Sequence, residues 1–276
     1  MRQRLNERLS ALLALALPVL AGLAWMAYAG APVHYLAINS GALIAGLALA
    51  ALLTALSGRR LQRIMIVTLL VLLFVPLATG PELNGIARWL PLGPFQLHAG
   101  MLALPTIAVL AAREPDYAPP ILLAAAFAAL VQPDAALGFA VLGASAGLYF
   151  AKPSWKPGVV AVIAFVASLI AAMHGELPAQ PFVERVLVDA ARVQPLMALG
   201  LLFAWLACFL LILKAVPMPT AECFALAGTL GGFMLMALLS NYPTPLIGYG
   251  AAPILGYALA LGLVAKPARA AHTPLG

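Results

Sequence analysis

The 276-residue chain is 64% hydrophobic and only 9% charged, with a net charge of +6. Soluble domains carry about 25% charged and about 45–50% apolar residues. A water-soluble domain, a disordered chain and an ordinary basic nucleic-acid binder are therefore excluded. What remains is an all-α polytopic transmembrane helix bundle, one domain over 1–276. Ten spans would take about 200 residues, which leaves no room for a soluble domain.

In chain order the apolar runs predict spans at 9–29, 33–57, 62–79, 97–112, 117–132, 135–151, 158–173, 193–214, 220–240 and 245–265. Several are at the lower length limit for crossing a bilayer, and the fourth and fifth are open to a partly re-entrant reading. The N-terminal Met1–Arg8 stretch and Ala27-Tyr28-Ala29 mimic a signal peptide, but the apolar run is longer than a signal core, so an uncleaved first helix is expected. Cytoplasmic loops are enriched in Lys and Arg. With both termini inside, Arg2, Arg4, Arg8, Arg59, Arg60, Arg63, Arg113, Lys152, Lys156, Lys214, Lys266 and Arg269 fall on the inner side. Arg88, Arg185 and Arg192 are left outside. A different span count would scramble this division.

Cys208 and Cys223 lie in apolar runs without a CxxC neighbour, and His34, His98, His174 and His272 are scattered. No metal or phosphate-loop motif results. No cofactor is called for, although a divalent cation stays open.

Charges are costly in lipid, so the outer ones are informative. In segment 80–96, Asn84-Gly85 favours a tight turn. Arg88 is either an interfacial cation or a phosphate ligand, and Trp89 is an interfacial anchor. The Pro-Gly-Pro run after it predicts an irregular loop. Gln132-Pro133-Asp134 ends the fifth span, where Asp134 caps the next helix or enters a polar cavity. From Pro181 the segment 181–192 reads as an amphipathic helix, with Phe182, Val186, Leu187 and Val193 on its apolar face. Glu184, Arg185, Asp189 and Arg192 lie on its polar side. Two readings stand: a solvated interfacial helix, or a membrane-surface site with Arg185 and Arg192 for phosphate and Asp189 or Glu184 as general base. The Pro- and Gly-rich run 241–250 precedes the last span, and its irregular backbone must line protein or water.

Three motifs carry a family resemblance. Asn84-Gly85, Arg88-Trp89 and Leu92-Gly93 resemble the NGAxRW…LG segment of the SEDS family (shape, elongation, division and sporulation; the FtsW, RodA and SpoVE group). Gln132-Pro133-Asp134 resembles its QPD, and Pro245 to Gly250, ending in Tyr249-Gly250, resembles its terminal PFxSYGG. The resemblance implies a ten-span bundle in the bacterial inner membrane and a role in peptidoglycan synthesis, cell division and shape. It implies binding or polymerisation of lipid II, a polyprenyl-pyrophosphate-linked disaccharide, as a glycosyltransferase, and a class B penicillin-binding or division protein as partner. The alternative is a non-catalytic scaffold or a protein that binds or flips polyprenyl lipid. Arg88, Arg185, Arg192, Asn84 and Trp89 are then the substrate-binding candidates, Asp189 and Glu184 the catalytic ones, and Gln132, Asp134 and Tyr249 the cavity residues. The chain departs from the family where Ala99 and Leu102 replace a Glu and a Lys on the fourth span, and where Gln180-Pro181-Phe182 stands for a TDF-like run.

Overall fold

The computed structural model describes residues 2–52, 58–93 and 95–264, with side chains from residue 8 onward. The helices are α1 (Arg2–Tyr28), α2 (Val33–Leu52), α3 (Arg59–Phe74), α4 (Pro76–Thr79), α5 (Ala99–Ala112), α6 (Ala118–Val131), α7 (Ala135–Ala151), α8 (Trp155–Ala172), α9 (Val186–Val193), α10 (Pro195–Lys214), α11 (Thr220–Leu239) and α12 (Ala251–Gly262). One two-stranded hairpin, β1 (Trp89–Leu92) and β2 (Phe95–His98), interrupts them. Each of the ten predicted spans holds a helix. The side chains of Arg2 and Arg4, the residues 53–57 of the second span, and Lys266 and Arg269 lie outside the described residues.

Six segments are long and apolar enough to cross a membrane, and the chain is a multi-pass membrane protein. The other four helices are short: α5 and α6 have 14 residues, α7 has 17 and α12 has 12. At 1.5 Å per residue, α5 is only about 21 Å long, less than the roughly 30 Å hydrocarbon core. The shortfall is made up by folded backbone held inside the protein. The hairpin leads into α5, and nearly all of α5 is buried. Residues 243–250 lead into α12 without helical structure, so the last helix starts later than predicted. In lipid such backbone needs internal partners, and Asn39 of α2 supplies them. Its Nδ2 donates to the Gly248 carbonyl at 3.0 Å, and its Oδ1 accepts from the Gly250 N–H at 3.0 Å. Asn39 is buried.

The centre of the bundle is α7 against α11. Gly143 and Gly228 face each other so closely that a Cβ on either would stand 2.0 Å from the other's carbonyl oxygen. Backbone approach of this kind replaces the hydrophobic drive that lipid cannot provide.

Two outer segments differ from the sequence reading. The strands on either side of the Pro-Gly-Pro run pair as a hairpin, Leu92 with Phe95 and Trp89 with His98; Pro94 itself lies outside the described residues. The amphipathic helix starts at Val186, not Pro181. Phe182 and Arg185 take left-handed φ values of 67° and 55°, which break a helix. The cause is a neighbouring loop: the carbonyls of Phe182 and Val183 accept from the N–H groups of Tyr249 (2.6 Å) and Thr244 (2.9 Å) instead of bonding along a helix. Arg185 therefore precedes α9 and does not share its face with Asp189 and Arg192.

The charged inner segments also meet in space, at the end which the charge bias assigns to the cytoplasm. Arg8 donates to the Ala50 carbonyl (2.6 Å), Ser10 to that of Ala215 (2.8 Å), and Arg63 and Arg113 reach Glu114 and Glu222. At the opposite, outer end the segments 80–98, 132–134, 174–186 and 241–250 come together.

Candidate functional site

Arg88 sits at the centre of the outer end and is 2% exposed. The hairpin puts it there: its carbonyl accepts from the Ala99 N–H at 3.0 Å, where β2 turns into α5. Its guanidinium lies 4.9 Å from the ring centres of both Trp89 and Tyr242, close enough for cation–π attraction. Nη1 is 3.5 Å from the Gly175 carbonyl, and Nε has no hydrogen-bond partner. Among the described residues no carboxylate lies within 4 Å of it. An unpaired buried cation costs stability, and in a membrane protein it marks a functional position.

Beside it, Asp134 caps α7, its Oδ1 accepting from the Leu137 N–H at 3.0 Å. Its Oδ2 lies 3.3 Å from Nε2 of His98, and neither atom has another polar partner. His98 caps α5 by accepting from the Met101 N–H at Nδ1. A ring that accepts at Nδ1 carries its proton on Nε2, which lies near Asp134 Oδ2 without forming a hydrogen bond to it. The Tyr242 hydroxyl accepts from the Ala135 N–H (3.2 Å) and reaches the Gly175 carbonyl at 3.5 Å. Burial pushes the Tyr242 phenol up, and the carboxylate of Asp134 adds to this. Gln132 holds the base of the cluster, donating from Nε2 to the Leu73 carbonyl, while its buried Oε1 is unpartnered.

The other candidates lie around this core. Asn84 and Gly85 form the expected tight turn, both at positive φ, between Leu83 and Ile86, which exchange hydrogen bonds of 3.1 and 3.0 Å. Asn84 is exposed and stands apart from the cluster. Tyr249 stacks on Tyr35 with ring centres 3.6 Å apart. Glu184 accepts from the Gln180 N–H at 2.7 Å and bridges to Pro243. Burial raises its carboxyl above the ordinary range, against the opposing pull of that N–H and of nearby Arg88. Asp189 and Arg192 form an exposed pair at 3.9 Å, and among the described residues Arg185 has no carboxylate within 4 Å.

Asp189 also lines an open groove of 520 Å³ between the outer end of α1 and the 181–193 segment. Trp25, Tyr28, Phe182, Val186 and Val193 make its apolar walls. The candidates thus fall into two adjoining zones. Arg88, Gln132 and Asp134 belong to the buried cluster, and Asp189, with Arg192 3.9 Å from it, belongs to the groove. Glu184 lies between the zones, on the loop that joins them. His98, Tyr242 and Asn39 were not among the sequence candidates. The one readable signal was a polar residue beside or within an otherwise apolar run.

No family model matches the sequence, and no curated protein matches it. Solved structures do. The rod shape determining protein RodA of Thermus thermophilus aligns with 27% identity and a TM-score of 0.68, over 92% of this chain and 94% of RodA. A point variant of the same protein gives 28% and 0.69. The chain is a SEDS-like protein. A chain from a peptidoglycan synthase complex that coordinates polymerization and crosslinking has the same fold, with a TM-score of 0.64 at 24% identity over 92% of the SEDS-like chain. Among the described residues of this SEDS-like chain, no group of three or more His, Cys, Asp or Glu could hold a metal ion.

Proposed function

We propose that this chain works in bacterial peptidoglycan synthesis and cell shape, at the inner membrane with both termini cytoplasmic, by binding lipid II at its outer end. One observation carries the reading: the groove between α1 and α9 joins apolar walls fit for a polyprenyl chain to a carboxylate, Asp189, at its edge. The exposed Asp189–Arg192 pair is long, and such pairs hold together weakly, so both groups are available to a ligand. Arg192 and Arg185 would hold the pyrophosphate, since a planar guanidinium matches phosphate oxygens. Asp189 would take the proton from the acceptor sugar's 4-hydroxyl. The freed oxygen would then attack the donor's anomeric carbon, and the polyprenyl pyrophosphate would leave. Arg88, held by Trp89 and Tyr242 in the adjoining buried cluster, would add a positive charge behind the groove. A class B penicillin-binding protein is the proposed partner, on the precedent of the synthase complex that shares the fold.

A second reading, a non-catalytic lipid-binding scaffold, is favoured by Glu184. That carboxylate is committed to a backbone N–H, which leaves Asp189 to act alone. Polymerisation of fluorescent lipid II by the purified chain with its partner separates the two. The catalytic reading expects wild-type polymer and a loss of about 100-fold or more in Asp189→Asn, with Glu184→Gln retaining activity. Full activity in Asp189→Asn overturns the assignment of the base. Lipid II binding without polymer in the wild type establishes the scaffold.

A further inference from the structure

At the inner end, α3 is the least covered of the six long spans, with 17% of its apolar window inside the protein. Ile64, Val67 and Val71 are exposed along it. Two adjoining hollows, of 470 and 290 Å³, share Arg63 and Val67 as a common wall. The first is bounded by Arg60 and Ile64, and the second runs down between Leu70 and Ile121. Arg63 is fixed in this wall. It holds Glu114 through two nitrogens, at 3.2 and 2.9 Å, and lies 5.2 Å from the centre of the Tyr117 ring.

Glu114 therefore answers Arg63. Arg59 and Arg60, both exposed, have no carboxylate within 4 Å among the described residues. Arg113, across the crevice mouth, is taken by Glu222. Asp116 on the facing turn makes no ion pair among the described residues. The sequence 53–57 preceding Gly58 brings no charge. With Asp116 counted against Arg59 and Arg60, the crevice keeps a net positive charge at its mouth, both unpaired arginines on one side of it, and an apolar lining below it, open to lipid.

We propose that this crevice is a binding site for an anionic phospholipid of the inner leaflet. The phosphate sits on Arg60 with Arg59 beside it, and one acyl chain lies along Ile64, Val67, Leu70 and Ile121. Charge complementarity selects this occupant, because basic pockets between spans at the cytoplasmic side favour anionic headgroups. A zwitterionic lipid would bring its own ammonium against the same arginines. The site is at the opposite end from the groove that carries the proposed function and stands independently of it.

Native mass spectrometry of the detergent-purified full chain, titrated in parallel with phosphatidylglycerol and phosphatidylcholine, tests the proposal. The expected result is one phosphatidylglycerol retained in preference to phosphatidylcholine. The Arg59→Gln/Arg60→Gln variant should weaken that binding by about fivefold or more for each arginine removed. Val67→Trp, which fills the crevice and leaves both arginines, should lose the same lipid. A Lys152→Gln/Lys156→Gln variant, altering inner-end cations elsewhere, should keep it. The proposal is overturned if the wild type shows no preference, if either crevice variant retains it, or if the lysine variant loses it equally. Thermal unfolding of each variant confirms that loss of lipid is not loss of fold.

Discussion

At the inner end Arg63 meets Glu114 and Arg113 meets Glu222 through two nitrogens each, whereas at the outer end the more deeply buried Arg88 meets two aromatic rings and no carboxylate within 4 Å. Asp134, the carboxylate that could have balanced it, faces His98 instead. The inner pairs fasten helices: Arg113 also donates to the Leu263 carbonyl at 2.7 Å, tying α5, α11 and the end of α12 together. The outer cluster gathers loops and leaves Arg88 without a direct ion pair among the described residues. Of these three arginines, then, the two inner ones serve cohesion, and the buried outer one is left without such a partner.

Removing a member of the inner pair gives the largest expected loss of stability. Arg113→Ala strands the buried Glu222 carboxylate and costs about 3–5 kcal/mol, read as a fall in the melting temperature in nanodiscs. Arg88→Met strands no carboxylate, so it should cost less, about 1–2 kcal/mol from lost ring contacts. It should also weaken lipid II binding, and Arg88→Lys should not restore it, because an ammonium cannot fill a flat slot between two rings. If Arg88→Met destabilises as much as Arg113→Ala, the contrast between the two ends is wrong. Asp134→Asn keeps the cap but removes the charge facing His98, and should cost about 1 kcal/mol.

The two ends should also respond oppositely to acid. Burial holds the Glu184 carboxyl above its unfolded value. Its protonated form therefore suits the fold, and that contribution, complete below the unfolded carboxyl range, is lost as pH rises toward the raised value. The hydrogen bond from Arg63 holds Glu114 below its ordinary value. Its contribution is present above the unfolded range, about pH 4.3, and is lost as pH falls through the lowered value. Melting curves of Glu184→Gln and Glu114→Gln from about pH 3 to 7, spanning the ordinary carboxyl range, should differ from wild type with opposite slopes. The smallest stability effect belongs to Arg192→Gln, under about 0.5 kcal/mol, since its partner is exposed.

The sequence made the bundle legible because hydropathy and charge alternation are local signals. Every predicted span holds a helix, and α10 opens at Pro195, where Pro suits the first turn. The hairpin at 89–98 was not legible, because strands of only four residues, the first holding Pro91, show no usable alternation. The late start of α9 was hidden for a different reason. The carbonyls of Phe182 and Val183 bond to a loop far along the chain, and no local pattern records that. The same distance in sequence concealed the site. Arg88, Gln132 and Asp134 stood out as polar residues in motifs, but His98 looked like one of four scattered histidines until the fold set it against Asp134. Asn39 lay unremarked in an apolar run, although it closes the backbone that begins the last span.

In the proposed function the outer groove receives the lipid-linked glycan. Photo-crosslinking of the membrane-embedded chain with a diazirine-bearing lipid II, mapped by peptide mass spectrometry, tests it most directly. Labels are expected on Trp25, Tyr28, Phe182 and Val193, competed away by unmodified lipid II and weakened in Arg192→Gln. Labels confined to the exposed faces of α8 and α10, or labels that unmodified lipid II does not displace, would contradict it.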